Sequence, residues 1–408
     1  MKKMISLALV AIVAMLSITY AQNTKETYVA DVDSKLFLHE IQNATYVGNH
    51  YVTESVGNLV VSHQIIRDNP RIESVIGYMS FMANETINKE MGNIGVVSEF
   101  DLKEPSKRVC HEIIKVGDTI KVGSEKLTVN LFIGDPVLYD YSPSLLYYVF
   151  RCGITQTTKG CTIGCFVDKK SFKIKKAHFL TIDGYEISNL SSPQNLWSNT
   201  RIEKYNNYYY RAFRDNINKR IIIARSTDLI NWFTWMDISS AMSFVKGTSG
   251  NSFDETDIAI DKESSVLYFA VRSQYVVLGK VVIEDHPTIS KMSYLSNMHP
   301  TRPSIAFFNG NLYLLGNARK DNYDDKKING TVVNRCYPIL YRMDTSFNVI
   351  KKWSGFSCIG GNYQVLQPYG AQLLCGLNFN RQGLSNTASL ERCGVYFTSL
   401  YSITYELE

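Results

Sequence analysis

Three acidic residues crowd into the segment Ser252-Phe253-Asp254-Glu255-Thr256-Asp257, just ahead of an apolar run. Crowded carboxylates raise one another's pKa, so one can stay protonated while its neighbour is ionised. Cleavage of a glycosidic bond needs such a division: one acid protonates the leaving oxygen and a second works in its ionised form. Glu255 is the candidate acid or base, with Asp257 or Asp135 as partner. The run Tyr208-Tyr209-Tyr210-Arg211 is a second focus. In a strand Tyr208 and Tyr210 share one face and Tyr209 takes the other. Tyr209 beside a carboxylate would serve as a nucleophile, or as a base in a lyase.

Arginines form the second constellation. Arg67, Arg151, Arg214, Arg272, Arg319 and Arg381 each close an apolar run, and Arg302 opens one. A guanidinium fork holds a carboxylate or sulfate bidentately. Gathered at one rim, Arg67, Arg151, Arg214, Arg272, Arg302 and Arg319 would bind a sialic, uronic or sulfated sugar. The same arginines could instead bridge neighbouring structural units through carboxylates. The histidines are scattered, with no H-E-x-x-H spacing. His63 falls inside the first copy of the repeat described below and His299 just before the fifth, where with Tyr and Arg they would suit lyase attack on a uronate. Cys161-x3-Cys165 lacks the second ligand pair that zinc wants. The loop Asp321-Asn322-Tyr323-Asp324-Asp325 offers oxygens to calcium, though a solvated loop is its default. No metal and no other cofactor is expected, because phosphate-binding, nucleophile-elbow and dinucleotide motifs are missing.

These residues sit in a repeat. A short apolar run, a turn, a second apolar run and an arginine recur at Val52–Arg67, Asp135–Arg151, Thr200–Arg214, Asp257–Arg272, Arg302–Arg319 and, more loosely, Tyr363–Arg381. Asn309-Gly310, Asn206-Asn207 and Ser142-Pro143 are turn residues between strand-forming runs, so each copy is expected to be a hairpin. The spacing of copies leaves room for a four-stranded sheet each. Radial repetition of such sheets is a β-propeller. The expected class is therefore all-β, a propeller with six blades favoured and five or seven accommodated; a double sandwich is the alternative. The run Val395–Leu407 is placed to help close the ring. Substrate would bind at one mouth of the axis, and the strand order alone leaves open whether the acidic and arginine edges share it.

The stretch Ala224–Trp232, ARSTDLINW, resembles the S-x-D-L-x-x-W turn of arabinanase- and fructosidase-type propellers, and is close to the Asp box of sialidases with one residue fewer. Asp344–Trp353 is a fainter second copy. RPSIAFFNGNLYLLGNAR and DIAIDKESSVLYFAVR look like sialidase-type blade cores. The resemblance implies a carbohydrate-active propeller, and it is one of scaffold, since such turns lie on the outer rim and fold does not fix function. An F/Y-R-I-P segment of the sialidase kind is missing from the first copy, and Asp135-Pro136 is far from the N-terminus where an arabinanase carries its catalytic Asp.

The remaining composition fits this class. The chain has 408 residues, 45% apolar and 20% charged, which excludes a disordered or multi-span membrane protein. The 12% aromatic share, with 26 Tyr, suits strands and sugar-lined clefts. Net charge is only +5, two of it from leader lysines, too weak for a nucleic-acid partner. Met1–Ala21 reads as an export signal: Lys2-Lys3, an apolar run Leu7–Leu16 too short to span a bilayer, and Ala21 at the cleavage point. No later stretch is long and apolar enough to span. The eight Cys all follow this leader, an even number that permits disulfides, with Cys375 expected as a buried thiol. Residues 22–408 are then one propeller domain, a monomer, exported to the periplasm or medium of a bacterium. The expected function is hydrolysis of a terminal acidic glycan residue, its partner an oligo- or polysaccharide. A polysaccharide lyase on the same scaffold and a non-catalytic carbohydrate-binding propeller are the alternatives.

Overall fold

The computed structural model describes residues 21–23, 38–40, 51–65, 73–84, 94–101, 108–130, 134–154, 157–187, 196–198, 200–215, 218–239, 255–273, 275–298, 302–317, 327–328, 331–332, 338–353, 364–369, 372–380 and 393–399. Residues 1–20 of the expected leader Met1–Ala21 and the acidic loop at 321–325 lie outside them.

Among the described residues are six sheets of four or more strands. Sheet I holds Tyr51–Ile65, Glu73–Asn84, Ile94–Asp101 and Arg108–Lys115. Sheet II runs through Gly134–Ser142, Leu145–Ile154, Thr157–Asp168 and Ile174–Phe179, and a hairpin at Thr119–Val122 and Glu125–Thr128 extends its outer edge. Sheet III has an inner strand in two pieces, Leu196–Trp197 and Glu203–Tyr205, then Tyr208–Asp215, Arg220–Ser226 and Asn231–Asp237. Sheet IV contains Thr256–Asp261, Val266–Arg272, Val276–Val282 and Ile289–Leu295. Sheet V contains Ser304–Phe308, Asn311–Asn317, Pro338–Met343 and Val349–Trp353. Sheet VI takes Gln364–Tyr369, Gln372–Asn380 and Cys393–Ser399, and its outer strand comes from the other end of the chain, Leu38–Glu40 pairing Tyr396–Thr398.

The innermost strands of I and II, IV and V, V and VI, and VI and I touch one another. Sheets II, III and IV are joined by apolar clusters between their faces. The arrangement is the expected β-propeller. The strand at 393–399 does help to close it, with a strand from near the N-terminus alongside.

Alternation along each strand makes the core. Ile258 and Ile260 point to sheet III and pack with Tyr210, Ala212 and Ile223. Ala259, between them, points to sheet V and packs with Ile305 and Leu312. Both faces of a sheet are thus buried, which is why these runs are apolar throughout and not alternating. The packing is tight at Gly279, where a Cβ would lie 2.0 Å from the Phe269 ring, so only glycine fits. The hairpin turns are those read from the residues. Asn309 and Gly310 have φ of 46° and 71°, the left-handed pair that a two-residue hairpin requires.

Five of the six expected hairpins form: 134–154, 203–215, 256–272, 304–317 and 364–380. The first does not. Residues 51–65 make one long strand, which pairs with Glu73–Asn84. Its register against that strand shifts between Val52 and Val56 and again between Val56 and Leu59.

The turn Ser226–Trp232 links the outer two strands of sheet III. Asp228 Oδ1 accepts from the backbone N–H groups of Ile230 (2.9 Å) and Asn231 (2.8 Å), and Leu229 has φ 68°. The buried Trp232 donates its indole N–H to Leu229 O at 3.0 Å. Asp344 accepts in the same way from Ser346 and Asn348 in sheet V. These hydrogen bonds hold the Asp228 and Asp344 carboxyls below the usual range, although partial burial opposes them. The Asp228 turn also anchors sheet II: Tyr147 donates its hydroxyl to Leu229 O (2.8 Å) and meets His178 Nε2 at 2.9 Å.

The burial of His178 gives a pH-dependent contribution. Burial, with Lys176 nearby, lowers the His178 pKa to about 4. The unfolded chain therefore takes up a proton below pH ~6.5 that the folded one refuses until about pH 4. Stability should fall by roughly 3 kcal/mol across that window. Thermal melts of wild type and His178→Gln at pH 7 and pH 4.5 check it. The gap between the two proteins must shift in the variant's favour on acidification.

Candidate active site

Antiparallel pairing decides how the chemical residues meet. The first residues of an inner strand lie beside the last residues of the strand that follows. Thr256 is opposite Val271, Trp197 opposite Arg214, and Gly134 opposite Arg151. The acid-bearing edge and the arginine-bearing edge are therefore one end of the ring.

Glu255 and Arg272 demonstrate this. The Arg272 Nη1 donates to Glu255 Oε2, and its backbone N–H donates to Glu255 O at 2.8 Å. Glu255 is 3% exposed and the Arg272 side chain 23%. The carboxylate is thus held against a guanidinium that still faces outward. Arg151 and Arg214 are half-buried at the same end of sheets II and III, and Arg302 is buried at the start of sheet V. The side chain of Asp135 lies outside the described residues, as do Arg67, Asp254, Arg319 and Arg381.

Asp257 has a different setting. Arg201, from the irregular stretch of sheet III's inner strand, donates Nε to its Oδ1 (3.1 Å) and Nη2 to its Oδ2 (2.6 Å). Oδ2 also accepts from Ser304 Oγ (3.0 Å) and the N–H of Ile305 (3.0 Å). Ser304 Oγ accepts in turn from Arg201 Nη2 (2.9 Å) and Leu366 N (3.0 Å), while Arg201 Nη1 donates to Leu366 O (2.6 Å). Four inner strands, from sheets III to VI, are knotted at one level by these groups. Arg201 is 6% exposed and Asp257 3%. Burial works against the Arg201 charge, but the Asp257 carboxylate outweighs it and keeps the guanidinium protonated. Just outside, Arg211 donates Nε to Thr200 O at 3.2 Å and Nη2 to Ser198 O at 3.0 Å.

Tyr209 and Glu255 are not brought together. Tyr209 is opposite Ser226 and Lys204, near the turn at the other end of its hairpin. Its ring meets Tyr139 edge-on at 5.4 Å and lies under Lys204 at 5.2 Å, in the seam between sheets II and III. Tyr208 and Tyr210 do share the opposite face, their rings 6.4 Å apart. Among the described residues no group of three His, Cys, Asp or Glu could hold a metal ion, and no helix is long and apolar enough to cross a membrane.

Arg201, Ser304 and Glu203 are functional or structural residues that the repeat pattern passed over. A signal existed: Thr200-Arg201 and Thr301-Arg302 open two copies alike. Glu203 lies 4.0 Å from Arg201, and its pKa is raised by burial, with Arg201 and Lys262 opposing.

The fold defines an all-β propeller. No family model matches the chain, and no curated protein does. Solved structures do. A Trypanosoma rangeli sialidase mutant displaying trans-sialidase activity is similar at TM-score 0.52 and 10% identity, over 93% of this chain and 61% of that one. The chain thus spans about three-fifths of that protein. A GH93 α-L-arabinofuranosidase of Fusarium graminearum, in complex with arabinobiose, follows at 0.49 and 10%, over 90% and 98%. A Penicillium chrysogenum α-L-arabinanase, complexed with arabinobiose, stands at 0.47 and 9%, over 86% and 96%. At these identities the likeness is one of fold.

Proposed function

We propose that the protein is an exported glycoside hydrolase that removes a terminal acidic sugar, sialic or uronic, from a glycan. The observation that carries this reading is the Glu255–Arg272 pair at the end of the ring where Arg151, Arg214 and Arg302 also stand. A carboxylate for proton transfer and guanidinium groups for the sugar's anionic group then serve one mouth. The sialidase of similar fold lends support to a glycosidase on this scaffold.

Glu255 is the acid or base in this scheme, and Arg272 has two duties. It orients the Glu255 carboxyl, and with Arg302 it offers charge to the substrate's carboxylate. Asp257, whose oxygens already accept four hydrogen bonds, holds the inner strands in place and with them Glu255. The test is a panel of aryl glycosides of sialic acid, glucuronic acid and neutral sugars, with products identified by mass. Release of the acidic sugar with one water added supports the proposal. Activity confined to neutral sugars sinks the acidic part, and an unsaturated product formed without water sinks hydrolysis in favour of a lyase.

A further inference from the structure

Cys152 and Cys161 stand directly opposite each other on the second and third strands of sheet II. Both are buried, with free thiols, and the Cys152 thiol is hydrogen-bonded to Cys161. The ladder tells which kind of pair they are. Both backbone groups of Thr162 turn to the other side, its N–H to Ile187 O and its C=O to Leu180 N. Gly153 O likewise turns away, to Asn130 N. Cys152 and Cys161 must then be the pair that exchange backbone hydrogen bonds, with Cα atoms about 5.5 Å apart. A disulfide accepts Cα separations of about 4.4–6.8 Å. Cys165 is no competitor for Cys161, because four residues along a strand put them about 13 Å apart.

We propose that Cys152 and Cys161 are a modification site, joined as a cross-strand disulfide in the mature protein. Each thiol loses its hydrogen, the two sulfurs bond, and the electron pair passes to an oxidising disulfide, which is released as two thiols. The exchange runs through a mixed disulfide while sheet II is forming, before both sulfurs are covered. Its place gives it a consequence. Arg151 precedes Cys152, and the regular ladder ends at Gly153 and Gly160. The bridge clamps the last side-chain-bearing pair before the register shifts, next to Arg151. The inference rests on the export proposed above, which puts the chain where thiols oxidise, and not on the glycosidase reading.

The experiment refolds the full chain in a mixture of oxidised and reduced glutathione, alkylates it in denaturant and maps the peptides by mass spectrometry. The expected result is a Cys152–Cys161 linkage, two hydrogens lighter than the reduced pair, that survives in Cys165→Ser and is absent in Cys161→Ser. Wild type should also melt several degrees lower after reduction, while the double variant C152S/C161S shows no such shift. Alkylation of both residues in soluble refolded protein overturns the proposal, and so does a linkage of either to another cysteine.

Discussion

Asp257→Ala is expected to destabilise the protein by about 3–5 kcal/mol, the cost of leaving a buried guanidinium without its carboxylate. For a chain of this size that is a fall in melting temperature of about 4–6 °C. The magnitude follows from the number of groups disturbed. Asp257 binds Arg201 through two of its nitrogens, and Ser304 and Ile305 through one oxygen. Removing it strands partners from the sheets on both sides of its own, III and V. Arg201→Ala should cost a similar amount, and the double variant much less than the sum, because the pair acts as a unit. Calorimetry on the two single variants and the double one measures this. Additive losses would mean that the groups do not depend on one another. The milder Asp257→Asn should keep turnover per folded molecule within about tenfold on a confirmed substrate, since in the present reading its role is to hold strands. A loss on the scale of general acid–base catalysis, about 100-fold or more, would instead make Asp257 a catalytic residue.

Glu255→Gln should have the largest effect on activity, a loss of about 100- to 10,000-fold in kcat, the range for removing a general acid or base. Glutamine keeps the shape of the side chain and can still accept from Arg272. The melting temperature should therefore fall by less than for Asp257→Ala. Arg272→Lys, by contrast, should weaken binding of an acidic sugar, because a point charge replaces a bidentate fork. KM is expected to rise more than kcat falls. Steady-state kinetics on the acidic glycoside identified in the panel separate these cases. Unchanged turnover in Glu255→Gln would remove its assignment as acid or base.

The two aspartate and glutamate residues show why part of the site was legible and part was not. Glu255 and Asp257 are two positions apart in one acidic cluster and look equivalent as letters. Their difference comes from neighbours far away in the chain: Arg272 for one, and Arg201, Ser304 and Ile305 for the other. Tyr209 was read for its residue type and its face. The face was right, but the level along the strand, near the turn, follows from register with Ser226. In the first sheet the hairpin expected over Val52–Arg67 does not form, because residues 51–65 run on as one strand beside Glu73–Asn84.

Local chemistry by itself determined the all-β class, five of the hairpins, their turn residues and the Asp228 turn. Each depends on contacts within a few residues, between backbone torsion, short polar side chains and apolar runs. Only the tertiary structure decided that acids and arginines share one end of the ring, that Arg201 and Asp257 tie the inner strands, and that Cys152 faces Cys161. Those outcomes depend on which strand lies beside which and in what register. Register is settled by burying both faces of every sheet at once, a constraint summed over the whole ring and invisible in any one segment.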